Sequence, residues 1–110
     1  MSTTKEYMAF VGDQLADIPN VRWWKMFGEY IVYVEDRPVL LVCDNCVMVK
    51  KLPELAALME GAAEAYPYEG AKLHYILDIE NRELVHPVLD ILVQVTPVPK
   101  KRKAAGKKNT

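Results

Sequence analysis

Two cysteines separated by two residues, Cys43 and Cys46, form the one pattern in this sequence that suggests metal or redox chemistry. Zinc takes four ligands, and structural zinc sites usually join two such pairs, whereas this chain has one. Neither of the two histidines, His74 and His86, lies at a metal-ligand spacing from the cysteines. The pair alone therefore does not define a metal site.

The residues between the two cysteines, Asp44 and Asn45, fit a two-residue turn between strands. In such a hairpin Cys43 and Cys46 face each other about 5.5 Å apart between Cα atoms, which is within disulfide range. A reducing cytoplasm keeps such a pair mostly open. Three interpretations remain: ordinary strand-end residues, a redox-dependent bridge, and a metal site shared between two subunits.

The rest of the chain lacks the residues that common enzyme classes use. Residues 5–95 contain no serine or threonine, so cysteine is the only conventional nucleophile in that range. The sequence also has no nucleophile elbow, P-loop, dinucleotide-binding glycine pattern or His-Glu-x-x-His pair. We predict a non-enzymatic protein with no cofactor and no small-molecule substrate.

Charge divides the chain into two parts. Residues 1–99 carry 15 acidic and 8 basic side chains and form the predicted single domain, whereas residues 100–110 carry 6 basic side chains and form a predicted disordered tail. Nucleic acid could therefore be contacted only through the tail, and a solubilising role is the alternative. The candidate phosphate contacts are Lys100, Lys101, Arg102, Lys103, Lys107 and Lys108.

The apolar runs are too short to cross a membrane. The longest, such as residues 39–43, fall far below the roughly 20 residues that a spanning helix requires. The first residues become charged at Lys5 and Glu6, so a signal-peptide core is not expected. We predict a cytoplasmic protein that does not bind membranes.

The first half of the chain predicts one helix and a run of strands. Thr3 and Glu6 fit a capping box at the start of a helix over residues 4–18. Four apolar segments follow, separated by turn residues. Turns this short join antiparallel neighbours, because a parallel pair needs a crossover of a dozen residues or more. The predicted strands cover residues 21–26, 30–34, 39–43 and 47–50.

The second half predicts two more helices and one more strand. Pro53 suits the first turn of a helix over residues 53–65, and residues 73–79 suit a strand. Asn81 or His86 could cap a third helix with Pro87 in its first turn, although the valines and isoleucines there also permit a strand. The predicted class is α+β: a two-layer domain with about five antiparallel strands and about three helices, in the order α-β-β-β-β-α-β-α.

The central strands are apolar at nearly every position, so both faces of the sheet need cover. The predicted helices can cover one face, which leaves the other for a second subunit or for the region of the third helix. Trp23 and Trp24 are neighbours on a strand and therefore point to opposite faces. We expect them to be buried in the core or in a homodimer interface.

The segment from Lys25 to Tyr30, with Met26, Phe27 and Gly28 at its centre, resembles the N-terminal domain of the TfoX/Sxy family. The resemblance covers roughly residues 4–96. It implies a two-layer domain with an antiparallel sheet, in a bacterial family named for regulators of natural competence. Those regulators carry a further helical domain that has no counterpart in this sequence. No catalytic residues carry over from the family.

The motif residues Met26, Phe27, Gly28 and Tyr30 are interpreted as structural. Met26 and Phe27 would anchor opposite faces of the sheet, and Gly28 would permit a bulge or a positive φ. In the alternative, the bend is a docking notch for a partner protein. The predicted function is a protein-interaction or accessory regulatory module with a protein partner or as a homodimer. Binding of nucleic acid by the tail and a redox or metal switch at the cysteines are the alternatives.

Overall fold

The computed structural model describes residues 3–99 and has the predicted α+β class. Six strands form one antiparallel sheet, and two helices pack against it. A single 3₁₀ turn, Pro53–Leu55, follows the fourth strand. The elements in chain order are α1 (Lys5–Gln14), β1 (Val21–Met26), β2 (Glu29–Val34), β3 (Arg37–Cys43), β4 (Cys46–Lys50), β5 (Glu64–Ala65), β6 (His74–Leu77) and α2 (Arg82–Val95).

The first four strands form the predicted meander, and a two-residue turn joins each strand to the next. Positive φ at both central residues is the signature of a type I′ turn, whose twist matches that of the flanking strands. Short polar residues and glycine tolerate this conformation best. The φ angles are 54° and 82° at Phe27 and Gly28, 52° and 65° at Glu35 and Asp36, and 53° and 56° at Asp44 and Asn45.

The turn before β3 is shorter than the sequence suggested. Arg37 and Pro38 belong to β3, and Pro38 pairs with Tyr33 of β2. The pairing of β3 with β4 begins only at Leu41, so the missing N–H of Pro38 removes no ladder bond to β4. The register shifts beside Pro38, where Val39 is the extra residue of a β-bulge.

The strand order is β1-β2-β3-β4-β6-β5, so β6 lies between β4 and β5. The predicted fifth strand over residues 73–79 is β6, and β5 is an additional strand of two residues. A segment this short carries no periodicity of its own, because pairing with β6 is what makes it a strand.

The first helix is shorter than predicted and has a different cap. The side chain of Thr4, rather than Thr3, accepts a hydrogen bond from the Tyr7 N–H at 3.0 Å. The helix ends at Gln14, where the Leu15 N–H bonds to both Val11 and Gly12 carbonyls and tightens the last turn. The predicted extension to residue 18 is therefore wrong.

The predicted helix over residues 53–65 is also wrong. The backbone makes a 3₁₀ turn at Pro53–Leu55 and then a series of turns up to Gly61. Only Leu55 and Met59 are fully buried there, and short segments with so little burial do not sustain an α-helix. These two side chains still join the core.

The ambiguous C-terminal segment is a helix. Asn81 caps it by accepting from the Leu84 N–H at 3.3 Å, so the helix starts before His86. Pro87 is consequently its sixth residue, and its predicted place in the first turn is wrong. The Glu83 carbonyl loses its usual partner, but Glu83 is exposed, so water can replace that bond.

One face of the sheet, the inner face, packs against both helices. Its side chains belong to the same buried cluster as Val11 of α1, Leu55, and Val88 of α2. The third helical region therefore lies on the same face as the first and does not shield the other. The inner-face residues on the central strands are Tyr30, Val32, Val34, Leu40, Val42, Val47, Val49, Tyr75 and Leu77.

Candidate protein-interaction surface

The strand β1 is an edge of the sheet, and nearly all of its side chains are exposed. It pairs with β2 along its full length, and no strand within residues 3–99 pairs with its other side. Trp23 is 40% exposed, Trp24 55%, and Met26 44%. These three exposed side chains, together with Phe27 in the following turn, make up the edge of the sheet that we name the aromatic edge. Apolar edges of this length are places where another chain can pair.

The turn after β1 presents Phe27 to solvent. Its side chain is 97% exposed, so the prediction that Met26 and Phe27 anchor opposite faces is wrong for this monomer. The reason is positional, because Phe27 is the first central residue of a two-residue turn and has no neighbouring strand to pack against. The predicted positive φ at Gly28 is confirmed at 82°. Tyr30 is buried on the inner face.

The two tryptophans point to opposite sides of β1 and have different surroundings. The ring of Trp23 covers Gly12 of α1 so closely that a Cβ there would lie 2.7 Å from Trp23 Cη2. The ring of Trp24 lies on the outer face under the Arg22 guanidinium, 5.8 Å from the ring centre, and Arg22 also pairs with Asp36. Neither ring is therefore fully buried in the core, which was one of the two expectations.

An apolar row crosses the outer face of the sheet from the aromatic edge. Each member pairs with the next across adjacent strands, from β1 to β6. None belongs to the buried cluster of the inner face. The row consists of Trp24, Ile31, Leu41, Met48 and Ile76, and only Met48 is fully buried.

An open groove of about 720 Å³ lies against this row. Ile31, Leu41 and Met48 contribute to its lining, and the segment 70–74 forms another wall. Lys50, Lys51 and Lys72 are also among its lining residues, so the groove is positively charged in a domain that is otherwise acidic.

The cysteines lie at the end of the β3–β4 hairpin, opposite each other as predicted from the Asp44-Asn45 turn. Both are free thiols. Cys43 is buried, and burial together with the nearby Glu29 carboxylate raises its pKa from 9.0 to about 11. A thiol with so high a pKa is a poor nucleophile and a poor metal ligand at neutral pH, because both roles need the thiolate.

A polar network that the sequence did not reveal surrounds this hairpin end. Thr3 donates its hydroxyl proton to one partner at a time, and both Glu29 Oε1 (2.8 Å) and the Val42 carbonyl (3.1 Å) lie within its reach. Glu29 Oε1 also accepts from the Asp44 N–H at 3.1 Å. The N–H of Thr4 donates to Asn45 Oδ1 at 3.0 Å. The network fixes the start of α1 to two hairpins of the sheet.

The histidines are far from forming a site with the cysteines. His74 is buried, and its Nδ1 lies 2.8 Å from the Lys72 carbonyl, whereas His86 Nε2 contacts Asp17 on the surface at 3.1 Å. Across residues 3–99, no cluster of three or more His, Cys, Asp or Glu side chains has a metal-binding arrangement. None of the helices in this range is long and apolar enough to cross a membrane. The six basic tail residues lie outside the described residues.

Comparison with known proteins gives one relative of nearly the same length. It is the "uncharacterized 12.7 kDa protein in trpE 5'region" of Spirochaeta aurantia, which is 35% identical over 109 residues. The matched region covers 97% of this chain and 95% of the spirochaete protein. No protein-family model matches the chain, and no solved structure matches it. The chain belongs to the same family as this 12.7 kDa spirochaete protein.

Proposed function

We propose that this chain is a non-enzymatic protein-interaction module that acts as an accessory regulator in a bacterial cytoplasm. The observation that carries the proposal is the aromatic edge, in which Trp23, Trp24, Met26 and Phe27 expose apolar side chains beside an unpaired strand. A strand that is exposed in this way gains backbone hydrogen bonds and buries apolar area when another chain adds to it.

The composition of the edge supports recognition rather than accidental exposure. Aromatic residues, methionine and arginine are enriched at protein interfaces, and β1 with its turn contains all three kinds. Natural proteins usually protect an exposed edge by shortening or charging it. Here six residues are extended, and their two charged side chains, Arg22 and Lys25, lie among apolar ones.

The resemblance to the TfoX/Sxy N-terminal domain supports the same class of function. The residues that carry the resemblance, from Lys25 to Tyr30, form the end of β1, its turn and the beginning of β2. The motif therefore coincides with the tip of the aromatic edge. We assign to it the docking role that was the alternative interpretation of its sequence.

Site-specific photo-crosslinking tests this proposal. The full chain is expressed in a bacterium with p-benzoylphenylalanine in place of Phe27, and crosslinked proteins are identified by mass spectrometry. We expect a defined crosslinked protein, because the side chain at this position is 97% exposed beside the free strand.

The matched control places the same probe at Tyr66, which is also aromatic, is 65% exposed and lies next to the opposite edge strand, β5. The position 27 crosslink should disappear in the presence of Trp24→Lys and should not form at position 66. A chain that crosslinks to no protein at position 27, or equally at both positions, contradicts the proposal.

A further inference from the structure

The free side of β1 has a fixed pattern of available backbone groups. The Asn20 carbonyl accepts from the Glu35 N–H at 3.0 Å, which places the bonding groups of Asn20 toward β2. Bonding direction alternates along a strand, so Arg22, Trp24 and Met26 also bond toward β2. The N–H and C=O groups that point away from β2 belong to Val21, Trp23 and Lys25.

This pattern is symmetric about Trp23. If a second copy of β1 approaches antiparallel with Trp23 opposite Trp23, then Val21 lies opposite Lys25 on both sides of the centre. In all three pairs the backbone N–H and C=O groups of both residues point away from β2, so each pair can exchange two backbone hydrogen bonds.

Other registers satisfy the strand less well. A shift that centres the pairing on Trp24 leaves only Trp23 and Lys25 as hydrogen-bonding partners within the strand. A shift by one residue places backbone groups that point away from β2 opposite groups that point toward β2. It also places Arg22 opposite Lys25. The edge therefore selects the register centred on Trp23.

The charges around β1 fit the same arrangement. In this register Arg22 lies opposite Trp24 of the second copy, an aromatic partner of the kind that it already contacts within its own chain. Lys25 lies opposite Val21, beside the turn that contains Glu35 and Asp36. Lys25 of each strand thus lies near the acidic turn of the other copy, and no two like charges are directly opposite.

The exposed Phe27 also gains a place to bind. Phe27 directly follows β1, so in this register it comes near the turn at Pro19 and Asn20 that directly precedes β1 in the second copy. Pro19 lines a cleft of about 320 Å³, in which the apolar Ile18, Leu89 and Val93 lie beside the acidic Asp17, Glu35 and Asp90. Stable protein–protein interfaces bury roughly 1,200–2,000 Å² of accessible surface in total. Side chains outside the six paired residues of β1 must therefore contribute to this area.

We infer that the aromatic edge binds a second copy of this chain, and that two β1 strands pair antiparallel about Trp23 to form one continuous sheet. The Phe27 side chain of each copy occupies the cleft beside Pro19 of the other. This inference rests on the proposed function, because it names the partner of the same surface.

Charge substitution at one paired position tests the register. Analytical ultracentrifugation of the full chain should show a dimer. V21K places a lysine opposite Lys25 at both ends of the ladder and should weaken dimerisation roughly tenfold, because directly opposed like charges destabilise strand pairs. Val21 is partly buried and packs against the core, so the unfolding free energy of the V21K monomer is measured beside that of V21E, which removes the same side chain.

Three further variants separate the register from effects on folding. The double variant V21K/K25E should restore the dimer, because opposite charges then face each other, and V21E alone should leave it intact. F27A should weaken the dimer without changing the circular dichroism of the chain. A monomeric wild type, a dimer that V21K leaves unchanged, or a V21K dimer that K25E fails to restore overturns the inference.

The crosslinking experiment distinguishes this inference from the proposed function. A crosslink from position 27 to a different protein, in a chain that stays monomeric, would contradict the second copy and leave the interaction function standing. A crosslink to the chain itself at residues 17–19 supports both.

Discussion

The two faces of the sheet contain similar residues in different surroundings. Leu40 and Leu41 are neighbours on β3, yet Leu40 is 2% exposed in the helix-covered core, whereas Leu41 belongs to the outer apolar row and is partly exposed. The strand alternates between faces, so apolar composition alone does not distinguish core from surface. The comparison shows that this sheet has more apolar surface than its two helices cover.

The largest effect is expected from substitutions that compare these two leucines directly. Leu40→Ala should lower the free energy of unfolding by about 2–5 kcal/mol, because it leaves a cavity among fully buried side chains. Leu41→Ala should lower it by about 1 kcal/mol, because less buried area is lost. Denaturant unfolding of both variants measures the difference. Equal losses would show that the outer row is as well covered as the inner face.

A smaller effect is expected where Trp23 meets α1. Gly12→Ala adds a methyl group 2.7 Å from the Trp23 ring, and overpacking of this kind usually costs about 1–3 kcal/mol. Replacing glycine in a helix should by itself gain about 0.5–1 kcal/mol. We therefore expect net destabilisation and a red shift of tryptophan fluorescence as the Trp23 ring moves into water.

The sign should reverse when Trp23 is absent. In a Trp23→Ala background the same Gly12→Ala change should stabilise the chain, since only the gain in helix propensity remains. A double-mutant cycle of unfolding free energies isolates this contact. If Gly12→Ala has the same effect in both backgrounds, the ring does not pack on Gly12 in solution.

The smallest effect concerns the two cysteines, which differ in burial although they face each other. At pH 8, iodoacetamide should modify Cys46 well before Cys43, because Cys43 is buried and its pKa is raised to about 11. Mass spectrometry of digested protein measures each rate. Faster modification of Cys43 would revive the interpretation of the pair as a reactive switch.

The raised pKa of Cys43 also predicts how the free energy of unfolding changes with pH. The folded chain holds the thiol proton more firmly than the unfolded chain, so the contribution of this group is complete below pH 9 and is lost as the pH rises toward 11. The difference in unfolding free energy between wild type and Cys43→Ala, followed across that range, measures it. A difference independent of pH would show that the thiol titrates alike in both states.

The sequence predicted the parts of the fold that local chemistry determines. The meander followed from apolar segments and from turn residues such as Asp44 and Asn45, which tolerate positive φ. The cap at Asn81 likewise indicated the start of α2. The two residues of β5 could not be predicted, because their strand conformation depends on β6, which comes later in the chain.

The sequence indicated the residues of the candidate site but did not predict how exposed their side chains are. Trp23 and Trp24 were recognised as facing opposite sides, yet an aromatic side chain near a turn does not reveal whether a helix reaches it. Phe27 shows this most clearly, since its apolar character suggested an anchor and its position in the turn makes it the most exposed large apolar side chain among residues 3–99. Exposure depends on which other elements pack against a side chain, which is a property of the tertiary structure.

The strand order also has a consequence for how the chain folds during synthesis. The pairings among β1 to β4 join residues close in sequence, so this half can form while the remainder is still being made. One side of β4 stays unpaired until β6 has been synthesised, because β6 lies beyond the segment that contains β5. Until β6 is inserted, the nascent sheet has two open edges, and association of the wrong strands is most favoured in that interval.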